Sequence, residues 1–68
     1  MQEFILKTEY TELNKLLKLL NWVESGGQAG SLITEGYVKV NGEKETRKRC
    51  KLRKEDIVEL ENQKIVLK

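Results

Sequence analysis

The chain has 68 residues, of which 35% are charged and 38% hydrophobic, and its net charge is +2. So short a chain buries only roughly 60% of its unfolded surface, so we expect residues 1–68 to form a single domain around one small core. With no histidine and one cysteine, the sequence lacks the commonest general base and metal ligand, and it can form neither an intramolecular disulfide nor a cysteine-rich zinc site. Its apolar runs are too short to cross a membrane and its first residues lack a secretory pattern, so we expect a cytoplasmic protein.

The first third of the chain predicts a strand followed by a helix. Alternation of Phe4 and Leu6 with their neighbours predicts a strand over 3–7 with one buried face. A helix is predicted over 11–20, with Tyr10 extending its apolar stripe and Thr8 or Thr11 as its N-cap. The stripe consists of Leu13, Leu16, Leu17 and Leu20. Asn21 is the predicted left-handed stop, after which Trp22 and Val23 fold back onto the helix end.

A second helix is predicted to begin at Ser25 and to stop at Gly36. Ser25 and Gln28 fit a capping box, in which the glutamine side chain reaches back to the N-cap amide. Gly30 is a local conflict because glycine in mid-helix costs roughly 1 kcal/mol relative to alanine. It marks either close approach of another backbone or ligand, or a glycine that is simply tolerated, and we favour the second interpretation.

Strand patterns fill the rest of the chain. Asn41-Gly42 between alternating residues 37–40 and 43–46 is a strong hairpin signal. Strands are also predicted at 57–60 and 65–67, around a turn at 61–63, with Asp56 making a turn hydrogen bond. The segment between is predicted as a loop that sends Leu52 into the core. Two helices that share a core with a small, mostly antiparallel sheet give an α+β fold.

The positive charge is concentrated in residues 44 to 54, which we call the basic segment. It contains seven basic residues and one acidic residue, a net charge of +6, whereas the other 57 residues carry a net charge of −4. Such a cluster repels itself, and an anionic partner relieves that repulsion. The segment is therefore either a solvated charged loop or a nucleic-acid-binding surface.

The residues give little support for catalysis. Cys50 has no partner base, and a redox role for it is disfavoured although Arg49 and Lys51 flank it. The glycines after Ser25 lack the rest of a nucleotide-binding pattern, although free amides there could meet one phosphate. Trp22 is expected in the core, and Tyr37 is more open to base stacking. We therefore expect no enzyme, cofactor, metal ion or small-molecule substrate.

Taken together, the motifs resemble the S4 RNA-binding domain. Ser25-x-x-x-Ala29-x-x-Leu32-Ile33-x-x-Gly36-x-Val38-x-Val40-Asn41-Gly42 is similar to its signature, and Leu52-x-x-x-Asp56-x-Val58 resembles the end of that signature. Stretches 16–18, 25–29, 38–42 and 45–52 are similar to those of the short stand-alone bacterial S4-like proteins of the YaaA/YbcJ type. The resemblance covers nearly the whole chain. It implies an αL motif, in which two helices pack against a small sheet, and a function in binding structured RNA.

The resemblance also implies where RNA would bind, on the edge formed by helix two and the basic segment. The residues expected there are Lys18, Ser25, Gln28, Lys44, Arg47, Lys48, Arg49, Lys51 and Arg53. Three departures weaken this surface. Gly26 stands where the S4 pattern usually has arginine, Gly30 where the stand-alone proteins tend to have lysine, and Glu55 where glycine usually precedes Asp56.

The expected function is thus a non-catalytic module that binds structured RNA, ribosomal or transfer RNA, with ribosomes or their assembly intermediates as candidate partners. The main alternative is a protein-interaction module that docks its basic patch on an acidic ribosome-associated partner. Non-specific DNA binding is a second alternative. With no spare apolar stripe, the chain is expected to be a monomer.

Overall fold

A computed structural model describes all residues, 1–68, and contains two helices and seven strands. The helices are α1 (Leu13–Leu19) and α2 (Gly26–Thr34). The strands are β1 (Gln2–Phe4), β2 (Thr11–Glu12), β3 (Val38–Val40), β4 (Glu43–Lys44), β5 (Lys51–Leu52), β6 (Ile57–Leu60) and β7 (Gln63–Leu67). Neither helix is long and apolar enough to cross a membrane.

Five strands form one sheet in the order β1-β7-β6-β3-β4, and β2 pairs with β5 in a separate two-stranded ladder. Only the β1–β7 pair is parallel, so the predicted mostly antiparallel sheet is confirmed. The strands supply buried residues at alternate positions, as in Val58 and Leu60 of β6. The predicted α+β class is therefore correct.

One cluster of twelve buried residues joins the helices to the sheet. Leu13, Leu16 and Leu17 contribute the apolar face of α1, and Ala29 and Ile33 that of α2. Leu52 is fully buried, as predicted, and Trp22 packs half-buried against the cluster. Packing against one shared core fixes the short helices, which would be marginal in isolation.

Both helices end as the sequence predicts, in a Schellman motif with a left-handed residue. Asn21 has a φ of 59° and follows α1, and Gly36 has a φ of 84° and follows α2. The Trp22 amide donates to the Leu17 carbonyl, and the Tyr37 amide donates to the Leu32 carbonyl. These 6→1 hydrogen bonds satisfy carbonyls that a helix end otherwise leaves unpaired.

The start of α1 corrects the prediction. Thr11 and Glu12 form β2, so the helix begins at Leu13, and its N-cap is Glu12 and neither Thr8 nor Thr11. Tyr10 lies outside the helix and is 38% exposed, although its spacing matches the leucine stripe. A tertiary pairing with β5, about forty residues away, overrides the local helical pattern here.

The strand boundaries also differ from the predictions. The first strand ends at Phe4, although Leu6 is buried and Ile5 exposed, as its predicted alternation requires. The hairpin strands are shorter than predicted, and β7 begins at Gln63, which leaves Glu61 and Asn62 as its turn. Asn41 and Gly42 both have positive φ, 53° and 87°, as the predicted two-residue hairpin turn demands.

Candidate nucleic-acid interface

The backbone of the basic segment is fastened to the first turn of α1. The Leu13 amide donates to the Cys50 carbonyl at 2.9 Å, and the Asn14 amide donates to the Lys48 carbonyl at 3.0 Å. The first amides of a helix have no partner within the helix, and Glu12 provides no side-chain cap. The carbonyls of the basic segment therefore cap α1, and these hydrogen bonds fix the backbone that carries the charged side chains of the segment.

Lys48 lies across α2 at Gly30. A Cβ built on Gly30 would lie 3.2 Å from Cδ and 3.4 Å from Cε of Lys48. No other backbone approaches Gly30; a flexible lysine side chain occupies the space beside it, so a glycine that is simply tolerated remains our interpretation. The missing lysine at position 30 is thus partly compensated, since Lys48 brings its ammonium group to the same helix surface.

Lys44 lies in a similar way beside the end of α2. Its Cδ is 3.5 Å from the position that a Cβ of Gly36 would occupy. A cation at this end of a helix meets the partial negative charge of the last carbonyls, which stabilises its position. Lys44 and Lys48 therefore place two positive charges along α2.

Glu45, the single acidic residue of the basic segment, holds Arg47. Its carboxylate accepts hydrogen bonds from Arg47 Nε at 2.9 Å, from Nη2 at 3.0 Å and from the Arg47 backbone amide at 3.0 Å. These hydrogen bonds lower the pKa of Glu45 from 4.5 to about 2. Because the carboxylate takes the Nε side of the guanidinium, Nη1 and the outer edge of Arg47 remain free to meet an anion.

Cys50 and four basic side chains line an open depression on the surface. Those side chains are Arg47, Arg49, Lys51 and Arg53. Burial raises the pKa of the Cys50 thiol, with the neighbouring carboxylate of Glu45 adding to the effect. The thiol is therefore kept protonated, which is the opposite of what a reactive cysteine requires. The depression presents positive charge and no nucleophile.

Arg53 is positioned from both sides. Its backbone amide donates to Asp56 Oδ2 at 2.8 Å, the turn hydrogen bond predicted for Asp56. Its Nη1 lies 3.9 Å from Glu9 Oε1, in an exposed ion pair. Asp56 also accepts from the Asn41 side-chain amide at 3.1 Å, so the hairpin turn and the end of the basic segment are linked.

Tyr10 contacts side chains of the basic segment, which the sequence did not predict. Lys51 Nζ lies 4.9 Å from the centroid of its ring, and Arg53 Cζ lies 5.9 Å from it. Thr11 pairs with Leu52 and Glu12 with Lys51, so the alternation of the two strands turns Tyr10, Lys51 and Arg53 to the same outer face. No local sequence signal predicts the pairing of β2 with β5. The ion pair between Glu45 and Arg47, by contrast, could have been predicted from their separation of two residues.

The remaining expected residues lie on the two helices or, in the case of Ser25, at the N-cap of α2. Ser25 Oγ accepts from the Gln28 amide at 3.1 Å, as predicted, but Gln28 Oε1 accepts from the Glu24 amide at 2.7 Å. The glutamine thus reaches one residue beyond the N-cap, a correction to the predicted capping box. Lys18 is exposed one turn after Asn14, whose amide contacts the basic segment. The structure describes no direct contact between Lys18 and the basic segment.

Glu55 has a φ of 77°, a left-handed conformation that glycine adopts without strain. This explains why the S4 pattern usually has glycine before the aspartate. The Glu55 amide donates to the Leu67 carbonyl at 2.7 Å, which holds the turn closed despite the strain.

Comparison with known proteins identifies the family. Residues 4–68 match the S4 domain. The chain belongs to the S4 domain family. It is 59% identical over 46 residues to the "Putative RNA-binding protein YbcJ" of Escherichia coli, an alignment that covers 68% of this chain and 66% of YbcJ, just under two thirds.

Two further relatives support this assignment. The "Probable ribosome maturation protein RlbA" of Bacillus subtilis is 39% identical over 56 residues, which cover 82% of this chain and 79% of that protein. The solution structure of Escherichia coli YbcJ, described as revealing an αL motif involved in RNA binding, matches with a TM-score of 0.74 and 46% identity. That match covers 98% of this chain and 86% of the YbcJ chain, so the fold of this S4 domain is the αL motif.

Proposed function

We propose that this S4 domain is a non-catalytic module that binds structured RNA through the basic segment and the adjacent surface of α2. The observation that carries the proposal is the docking of the basic segment on the start of α1, which holds a charge of +6 in one place. The names of the relatives, an RNA-binding protein and a ribosome maturation protein, point to the same class of partner.

The proposed contacts are mainly with phosphates. Arginine suits this role because its planar fork can grip two phosphate oxygens, and Arg49, which makes no ion pair within the protein, is free to do so. The outer edge of Arg47 and the ammonium groups of Lys48 and Lys51 supply further contacts. Phosphate contacts position a protein without reading bases, so recognition would depend on RNA shape.

We further propose ribosomal or transfer RNA as the ligand, and ribosomes or their assembly intermediates as the setting. The ribosome maturation relative favours ribosomal RNA. A cytoplasmic, monomeric protein remains our prediction.

Fluorescence anisotropy tests the proposal. Labelled fragments of ribosomal and transfer RNA are titrated with the protein at several salt concentrations, in parallel with a matched DNA duplex. If about five phosphates are neutralised, log K should fall against log salt with a slope of roughly −3.5 to −4.5. Binding with a slope near zero would contradict the phosphate-contact mechanism.

A pair of charge reversals locates the surface. Arg49→Glu should weaken RNA binding by at least roughly tenfold and flatten the salt slope by about 1 or more. Lys64→Glu makes the same charge change on an exposed side chain of β7, outside the basic segment, and should have a much smaller effect. Equal losses in the two variants would mean that RNA responds only to net charge.

The alternative, a protein-interaction module, makes a different prediction. The same basic surface would then bind an acidic protein in a salt-sensitive way, with no affinity for naked RNA. Capture of partners from a lysate before and after ribonuclease treatment separates the two functions, because only RNA-mediated partners are lost.

A further inference from the structure

Tyr10 is an exposed aromatic residue beside the basic segment that takes no part in the apolar core. Its side chain lies outside the core cluster, and its hydroxyl makes no hydrogen bond within the protein. The ladder between β2 and β5 fixes its orientation, because Thr11 and Leu52 take the inward side and leave Tyr10 on the outer one. The Thr8 hydroxyl donates to the Tyr10 carbonyl at 2.8 Å, which further orders the backbone.

The cations beside the ring are its second distinguishing feature. Lys51 Nζ and Arg53 Cζ lie 4.9 and 5.9 Å from the ring centroid, and the Arg53 side chain is 56% exposed. Both side chains are long and reach the same outer face, so they can move from the ring to phosphates. An aromatic ring within a positively charged surface is the arrangement that binds an unstacked base between contacts to its backbone.

From this arrangement we propose that Tyr10 is a stacking platform for one unpaired RNA base, with Lys51 and Arg53 binding the phosphates that flank it. The inference rests on the proposed RNA-binding function and narrows its ligand. Bases within a duplex are stacked on their neighbours, so the ring can reach only a bulged, looped or terminal nucleotide. The ligand class is therefore an RNA helix interrupted or ended by an unpaired nucleotide.

Tyr37 provides an internal comparison. It is also exposed, but its surroundings include the carboxylates of Glu59 and Glu61 as well as Lys39. There two carboxylates face one lysine, and they repel the phosphates that accompany a base. Beside Tyr10, Glu9 is paired with Arg53 and Glu12 with Lys15, and Lys51 adds a further positive charge. The same substitution at Tyr37 is thus a matched control for Tyr10.

Two blunt-ended RNA duplexes without loops test the inference. They share the same paired sequence, and one of them carries a single bulged 2-aminopurine, a fluorescent base whose emission is quenched by stacking. The unmodified protein should prefer the bulged duplex roughly tenfold and should change its 2-aminopurine emission, because an unpaired base can stack on an aromatic ring and a paired one cannot. Tyr10→Leu should remove both effects while its affinity for the fully paired duplex stays unchanged.

The controls separate stacking from other roles. Tyr10→Phe should retain the preference because it keeps the ring, and Tyr37→Leu should behave as the unmodified protein does. Equal loss of affinity for both duplexes in Tyr10→Leu would overturn the inference, because the ring would then only orient Lys51 and Arg53. Equal affinity of the unmodified protein for the two duplexes would also overturn it but leave the proposed function intact. Absence of binding to either RNA would overturn both.

Discussion

Replacing Gly30 with alanine should stabilise the protein, although Gly30 is buried and touches Lys48. Alanine is favoured over glycine in mid-helix by about 1 kcal/mol. Against this gain, the new Cβ would lie 3.2 Å from Lys48 Cδ, which must move by a few tenths of an ångström. Because that atom belongs to a flexible side chain and not to the backbone, we expect the displacement to cost less than half of the gain.

The net effect should be about 0.5–1 kcal/mol of added stability, which for a domain of this size raises Tm by about 3–6 °C. Thermal unfolding followed by circular dichroism, together with urea titration, measures it. In a Lys48→Ala background nothing opposes the new methyl group, so Gly30→Ala should there contribute the full helix-propensity gain. The change in unfolding free energy caused by Gly30→Ala, compared between the two backgrounds, gives the cost of displacing Lys48.

Gly36→Ala is the matched control, because the backbone there has a φ of 84°, a left-handed conformation that alanine adopts only with strain. It should destabilise the protein by about 1–2 kcal/mol, the opposite sign from Gly30→Ala. Destabilisation by Gly30→Ala in the unmodified protein and in the Lys48→Ala background alike would refute the reasoning, since α2 would then require glycine for a reason other than Lys48.

Three further substitutions test the fold and the basic segment. Glu55→Gly should raise stability by about 0.5–1 kcal/mol in urea unfolding, because it relieves the left-handed strain at the cost of one exposed ion pair with Lys68. No gain would mean that Glu55 is unstrained. Leu52→Ala should cost about 2–5 kcal/mol by the same measurement, a large part of the total stability of a small domain. A cost below about 1 kcal/mol would contradict its central place in the core. Because its pKa is lowered to about 2, ionised Glu45 contributes stability above pH 4.5 that is lost as the pH falls through about 2. Glu45→Gln should remove that contribution, so urea unfolding of the variant should show a smaller loss of stability between pH 5 and pH 2. An unchanged pH profile would mean that the hydrogen bonds between Glu45 and Arg47 do not stabilise the fold.

Local residue patterns determined most of the elements of this protein. The leucine spacing predicts α1, Ser25 and Gly36 bound α2, and Asn41-Gly42 predicts the hairpin, because each of these signals acts within a few residues. The charge of the basic segment is also readable from composition along the chain. The resemblance to S4 domains, carried by the same residues, correctly indicated the αL motif.

Tertiary structure alone decided how these elements meet. The pairing of β2 with β5 joins residues about forty positions apart. It delays the start of α1 to Leu13, caps the helix with carbonyls of the basic segment and turns Tyr10 outward. A helical period could not reveal this, because it records only which face of one element is apolar. The same holds for the contact of Lys48 with Gly30, because it joins two segments that are distant in the sequence.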